Sequence, residues 1–260
     1  MSVITGFADL DYMLNGGFQK GCLYFLAGRP AMGKTGLAIN MIDNICFNQH
    51  RIIAYFSLEM SKRQLLERIL AFKAKIESYV LRTGNIEKDG WNRIAKAAEA
   101  MSKASLIIDD TSAADVETIR TKCVEYRKSS EDLSAIFIDY LQLVSVADNN
   151  KSRKKQISEI VKQLKGMAVE LDCPIVVISQ ISRESEYRED HRPVISDLVE
   201  GDAISQYADV IMFLYRDEYY DRSASRGIAE VIVSKNAGGY TGTIELGFQA
   251  DYVKFENMHN

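Results

Sequence analysis

The feature that most constrains this chain is the octet Gly28-Arg29-Pro30-Ala31-Met32-Gly33-Lys34-Thr35. It matches G-x-x-x-x-G-K-[ST], the phosphate-binding P-loop. An apolar run, Cys22 to Ala27, precedes it, and Leu37, Ile39, Met41, Ile42 and Ile45 follow at helical spacing. That is the strand–loop–helix setting the motif requires. Glycines let backbone N–H groups close around phosphate oxygens, and the helix N-terminus adds positive potential. The segment from Gly28 through Gly36 is therefore the candidate nucleotide site. Lys34 is placed to reach the β- and γ-phosphates of a bound nucleotide, and the Thr35 hydroxyl to ligate Mg²⁺.

The chain has 260 residues, only three prolines and no Gly/Ser-rich linker, which favours one α/β domain spanning 1–260 over two small ones. A hydrophobic content of 47% supports a sizeable core. No apolar stretch reaches the roughly 18 residues of a membrane span. The N-terminus lacks the basic-then-apolar order of a signal peptide. The four cysteines, Cys22, Cys46, Cys123 and Cys173, are too widely spaced for a zinc site or a disulfide scaffold. They read as buried thiols, so a reducing cytoplasm with no membrane partner is expected. The formal net charge of −4 argues against nucleic-acid binding by bulk charge. A local basic patch inside a ring or groove is still compatible with it.

Strand-like runs lie at Cys22–Ala27, Ile52–Ser57, Leu106–Asp109, Ala135–Asp139, Ile175–Ser179 and Val210–Leu214, then at Ala229–Ser234, Thr243–Phe248 and Tyr252–Phe255. Helical patterns occupy Thr35–Asn48, Lys62–Ile76, Trp91–Ser102, Val116–Lys128 and Gln156–Leu171. The β/α alternation predicts a mostly parallel sheet covered on both faces. The last third is strand–turn–strand, with Gly238, Gly239 and Gly242 at the turns, and predicts an antiparallel extension at one edge.

Three strand ends carry polar groups suited to nucleotide chemistry, because ligands of open α/β sheets bind at the carboxyl ends of strands. Ala135-Ile-Phe-Ile-Asp139 has the Walker B pattern and puts Asp139 beside the loop as a Mg²⁺ partner through water, with an Asp capping a turn as the other reading. Glu59 follows the strand Ile52–Ser57 and could orient or deprotonate an attacking water. An ordinary acid at a helix start is an equal reading of it. Gln180 ends Pro174-Ile-Val-Val-Ile-Ser179, where an amide can bond a γ-phosphate or simply finish a strand.

Together these pieces resemble the RecA-like ATPase core of bacterial replicative DNA helicases of the DnaB type. The similarity runs from about Ile4 to Glu256. It is carried by Thr5-Gly-Phe-Ala-Asp-Leu-Asp11, the P-loop, Phe56-Ser-Leu-Glu-Met-Ser61 and Ile138-Asp-Tyr-Leu-Gln-Leu143. Ile178-Ser-Gln-Ile-Ser-Arg183, Arg192-Pro-Val-Ile-Ser-Asp-Leu198 and Ala208-Asp-Val-Ile-Met-Phe-Leu-Tyr-Arg-Asp-Glu-Tyr-Tyr220 extend it. RadA- and KaiC-type cousins share the character of the first 40 residues but not this later set. The resemblance implies a RecA-like P-loop fold and ATP hydrolysis with Mg²⁺ coupled to movement on single-stranded DNA. It further implies a homo-oligomer, hexameric in the family, with a helicase loader and primase as possible associates. It makes Glu59 the catalytic carboxylate, Asp139 the Walker B acid and Gln180 the coupler of nucleotide state to DNA-facing loops. Lys235 becomes a cation donated to the neighbouring subunit's nucleotide.

Two departures qualify that picture. Where the family reads Lys-x-Arg-x-Gly, this chain reads Lys235-Asn236-Ala237-Gly238-Gly239. Ala237 thus stands in place of an arginine finger, a group worth roughly 10³–10⁵ in turnover. Arg216 and Arg226 are the cations that could substitute from other positions. Val199 replaces an Arg of a DNA-facing loop, and Asp202 a Gly. A degenerate nucleotide-binding paralogue with a regulatory or assembly role is therefore the alternative. The family's N-terminal domain and stapling linker helix have no counterpart here, which fits an excised domain or a naturally short chain. Basic residues Lys151, Arg153, Lys154 and Lys155, after the polar loop Asp148-Asn149-Asn150, read equally as DNA contacts or as a solvated helix start. Arg183 and Arg188 read as solvated among acids. Tyr215, Tyr219 and Tyr220 read equally as a base-stacking set or as packing at a sheet edge.

Overall fold

The computed structural model describes residues 2–258 except 113, 130–132, 146–150, 200 and 222–225. Its strands are β1 (Leu23–Gly28), β2 (Ile52–Ser57), β3 (Leu106–Asp109), β4 (Leu133–Asp139), β5 (Ile175–Gln180), β6 (Val210–Tyr215), β7 (Ile228–Asn236), β8 (Gly242–Gln249) and β9 (Lys254–Asn257). They form one nine-stranded sheet in the order β3-β2-β4-β5-β1-β6-β7-β8-β9. Pairing is parallel from β3 to β6 and antiparallel from β6 onward. Both sheet expectations hold.

The helices are α1 (Ala8–Met13), α2 (Lys34–Asp43), α3 (Lys62–Ala74), α4 (Ser78–Thr83), α5 (Lys88–Ser102), α6 (Val116–Ser129), α7 (Arg153–Glu170) and α8 (Gly201–Tyr207). Parallel strands buried on both faces read as continuous apolar runs, and β1 and β4 are buried at every residue. Alternate side chains then divide between two cores. Tyr24, Leu26, Tyr55 and Phe137 pack with apolar residues of α1, α2 and α3, whereas Phe25, Ala27, Ile136 and Ile138 pack with those of α6, α7 and α8.

Differences from the sequence reading are local. The predicted helix Thr35–Asn48 stops as an α-helix at Asp43 and continues as a π-turn over Asn44–Asn48, where Asn44 donates to the Ile4 carbonyl at 3.1 Å. Helix α3 begins at Lys62 as predicted, capped by a reciprocal box between the Ser61 and Gln64 side chains, and ends at Ala74, two residues before the predicted end. Helix α7 begins at Arg153, three positions before the predicted start. Helices α1, α4 and α8 were not predicted. At 6, 6 and 7 residues they are too short to display a repeat of the helical period. Tertiary burial of Leu10 and Ile204 supports two of them.

Candidate nucleotide-binding site

The carboxyl ends of β1, β2, β4, β5 and β6 converge on one cleft of about 1100 Å³. Register brings this about. Gly28 pairs with Gln180, and Ser57 with Asp139. Close approach explains the glycines. A Cβ on Gly28 would lie 2.8 Å from the Leu214 carbonyl oxygen, and one on Gly36 would lie 2.3 Å from Val253 Cγ1. Gly33 adopts φ +100° and caps α2 with no side chain across the helix end. The first-turn amides of α2 are therefore available to an anion.

Within the predicted segment the residues separate by orientation. Pro30, Ala31, Gly33, Lys34, Thr35 and Gly36 line the cleft. Gly28 and Met32 are buried in the fold. Arg29 turns its side chain away from the loop. Its Nε and Nη2 donate to Glu186 Oε1 at 2.9 and 2.7 Å, and Nη1 donates to the Ile181 carbonyl at 3.2 Å. Only the backbone of Arg29 serves the loop.

Lys34 is 9% exposed, and its ammonium donates to the Arg29 carbonyl at 2.9 Å. Burial pulls its pKa down from 10.5 to about 8, against the opposing pull of Asp139 and Glu59. Asp139 is 3% exposed. Burial raises its pKa, while hydrogen bonds from Tyr55 and Thr35 and the charges of Lys34 and Arg68 oppose the rise. The Thr35 hydroxyl donates to Asp139 Oδ2 at 2.8 Å, and the Tyr55 hydroxyl donates to the same oxygen at 2.7 Å. The predicted pair Thr35–Asp139 is thus assembled. Glu59 stands exposed at the mouth of the cleft between β2 and α3, and Gln180 lines the wall at the end of β5. The Gln180 amide N–H donates to Gln142 Oε1 at 3.4 Å, and Gln142 Nε2 donates to Ser179 Oγ at 3.0 Å.

These contacts provide what a nucleotide triphosphate with Mg²⁺ needs: free amides, a buried cation, a hydroxyl–carboxylate pair and a carboxylate across the cleft. Three residues at the site escaped the sequence reading or were placed elsewhere by it. Arg68 lines the cleft from α3. Its only signal was its position on the face flanked by buried Leu65 and Ile69. Tyr55 lies within the apolar run of β2, where no sequence signal sets it apart. Arg216 directly follows β6, a strand end the same rule would have flagged. It lies 4.1 Å over the Phe248 ring, contacts Glu218 at 3.2 Å and lines this chain's own cleft.

Lys235 and Ala237 lie apart from this cleft. Lys235 pairs with Ile211 at the amino end of β6, and the Ala237 amide donates to the Asp209 carbonyl at 2.9 Å. The Lys235 ammonium donates to the Ser205 and Ala208 carbonyls at 2.7 and 2.6 Å, closing the C-terminal end of α8. Of the basic residues, Lys151 pairs with Glu159 and Lys154 with Asp202, at 2.7 and 2.8 Å. Arg153 donates to the Gln142 carbonyl at 2.9 Å. Arg153, Lys154 and Lys155 form the first turn of α7, while Asp148, Asn149 and Asn150 lie outside the described residues. Arg188 is bound to buried Asp197 at 2.5 Å rather than solvated among acids. Tyr215 is buried and bonds Asp217, and Tyr220 stacks on His191, which is the packing reading; Tyr219 remains 48% exposed. Among the described residues no helix is long and apolar enough to cross a membrane.

Comparison with known proteins agrees with this geometry. The family model of the DnaB-like helicase C terminal domain matches residues 2–257. The replicative DNA helicase DnaB of Geobacillus stearothermophilus is 41% identical over 98% of this chain, and the replicative DNA helicase DnaC of Bacillus subtilis equally so. The DnaB helicase of Rickettsia bellii is 38% identical over 99%. The chain spans 56–58% of these relatives' lengths. One solved ATPase domain superposes with a TM-score of 0.96 at 35% identity, over all of this chain and 92% of that one. A DnaB-like replicative helicase, solved in a study of its interactions with primase, superposes equally well over all of this chain and 62% of that one. The RecA-like α/β core, with its cleft at the carboxyl ends of the strands, thus stands in a chain that belongs to the DnaB-like helicase C-terminal domain family.

Proposed function

We propose that residues 1–260 act as one motor domain that binds ATP with Mg²⁺, hydrolyses it and couples hydrolysis to movement along single-stranded DNA within a homo-oligomeric ring. The observation that carries this reading is the Thr35–Asp139 contact at 2.8 Å beside Lys34, with Glu59 and Gln180 on the same cleft. Lys34 moves from the Arg29 carbonyl to the β- and γ-phosphates. Thr35 keeps its proton on Asp139 and presents its lone pairs outward, so Thr35 and Asp139 are the groups that would hold Mg²⁺. The ion supplies neutralisation of charge on the phosphate oxygens. Glu59 orients the attacking water and takes its proton. Gln180, one strand from Asp139 and adjoining the segment that leads to α8, passes nucleotide state toward the DNA-facing side.

Lys235 sits at the opposite end of the sheet from this chain's own cleft, so its service to a nucleotide requires a neighbour. Ala237 brings no charge to that neighbour, and the Lys154–Asp202 pair neutralises part of the basic helix start. Both features, with Val199 in place of an Arg of the DNA-facing loop, lower turnover and DNA affinity without removing the site, and these departures are what favours the degenerate-paralogue alternative. A RadA- or KaiC-like role finds no specific support. The solved helicase described with primase suggests primase as a partner here too, with a helicase loader as its counterpart in ring assembly.

The test is ATPase rate against protein concentration, with and without single-stranded DNA. The motor reading expects specific activity to rise with concentration and with DNA. A rate independent of both refutes the shared-site ring. Nucleotide binding with no hydrolysis under any condition selects the regulatory paralogue.

A further inference from the structure

We propose that Tyr55 is a positioning residue for the metal-facing carboxylate of Asp139. Strand β2 pairs in parallel with β4, with Tyr55 opposite Phe137 and Ser57 opposite Asp139. Side chains alternate across a sheet, so Tyr55, Phe137 and Asp139 share one face. The phenol ring lies along Phe137, with centroids 6.3 Å apart and planes 13° from parallel, and reaches two positions further to Asp139. Tyr55 is 0% exposed, so its hydroxyl has no water to meet. Packing alone asks only for the ring, and a Phe would fill the same space. The oxygen is explained by its 2.7 Å bond to Asp139 Oδ2.

Two donors, Tyr55 and Thr35, thus converge on one carboxylate oxygen. Among the described residues no hydrogen bond goes to Oδ1. Oδ2 is anchored by groups on β2 and α2, which fixes the carboxylate plane and leaves Oδ1 as the oxygen able to face an ion or its water. The Thr35 hydroxyl depends on the same arrangement. It can offer lone pairs outward only while its proton has a fixed acceptor, and Tyr55 keeps that acceptor in place. Outer partners of this kind typically change metal affinity by about 10–100-fold when removed.

The inference rests on the reading of Asp139 as the carboxylate that faces Mg²⁺. The experiment measures binding of a fluorescent non-hydrolysable ATP analogue to the whole chain, first in EDTA and then across a Mg²⁺ titration. In Tyr55→Phe, affinity in EDTA should match that of the unaltered chain, while the Mg²⁺ needed for half-maximal gain should rise on the order of 10-fold. Phe137→Leu loosens the packing around Tyr55 but keeps the hydroxyl, and its Mg²⁺ requirement should not move. An unchanged Mg²⁺ requirement in Tyr55→Phe overturns the inference, and so does an equal rise in both variants. If Mg²⁺ adds nothing to binding by the unaltered chain, the reading of Asp139 itself falls, and the inference with it.

Discussion

Replacing Lys34 by Met should make the protein more stable while removing its function. The Lys34 stem is buried and, among the described residues, its ammonium has one hydrogen-bond partner, the Arg29 carbonyl. A pKa lowered from 10.5 to about 8 corresponds to a net penalty on the charged form of about 3 kcal/mol, at about 1.4 kcal/mol per tenfold. Since the folded value lies below the unfolded one, the unfolded chain holds more protons between about pH 8 and pH 10.5. Stability therefore rises with pH across that window, and below it the penalty is expressed in full. Met keeps the volume and removes the charge. It also leaves the Arg29 carbonyl without its donor, at a cost of about 1 kcal/mol. The net expectation is a gain of about 2 kcal/mol for Lys34→Met near pH 7, shrinking to nothing or a slight loss near pH 10.5. Urea denaturation of both proteins at the two pH values reads the difference. On the proposed function, phosphate oxygens would offset the same penalty, which would make Lys34 a residue for the ligand rather than for the fold. A Lys34→Met protein no more stable at neutral pH, or a gap that does not change with pH, would refute the argument.

Two further outcomes follow from the site. Glu59→Gln should bind ATP as the unaltered chain does and hydrolyse it about 10²–10⁴-fold more slowly; unchanged hydrolysis would place the water-activating group elsewhere. Ala237→Arg should raise ATPase turnover at high protein concentration, where subunits meet, with little effect when dilute. No gain at any concentration would mean that position 237 does not reach a neighbour's nucleotide.

The P-loop was legible because its function is local. Gly28, Gly33, Lys34 and Thr35 need only a strand before and a helix after, and both stood in eight contiguous residues and their flanks. Asp139, Glu59 and Gln180 were legible in a weaker sense. Each ends an apolar run, and an open α/β sheet gathers its strand ends at one edge. The roles proposed for Glu59 and Gln180 rest on family likeness, because a polar group at a strand end is equally a turn or a helix start, whereas Asp139 was also marked by its Walker B pattern beside the loop. The parallel sheet and its antiparallel extension followed from the order of runs, since a helix between strands forces a crossover and a two-glycine turn does not.

Strand order was beyond the sequence. Hydrophobic periodicity fixes which residues face a core but not which strand lies beside which, and it is the β2–β4 pairing that puts Tyr55 on Asp139. The same limit hid Arg68, carried to the cleft by the packing of α3, and the turning of Arg29 from phosphate toward Glu186. Lys235 carries a motif position, yet only the antiparallel register with β6 shows that it lies away from its own cleft and against α8. Local chemistry is written in short stretches of sequence because backbone geometry and spacing act over a few residues. The partners of buried polar groups are decided in the tertiary structure, because they come from segments as far apart in the chain as residues 35, 55 and 139.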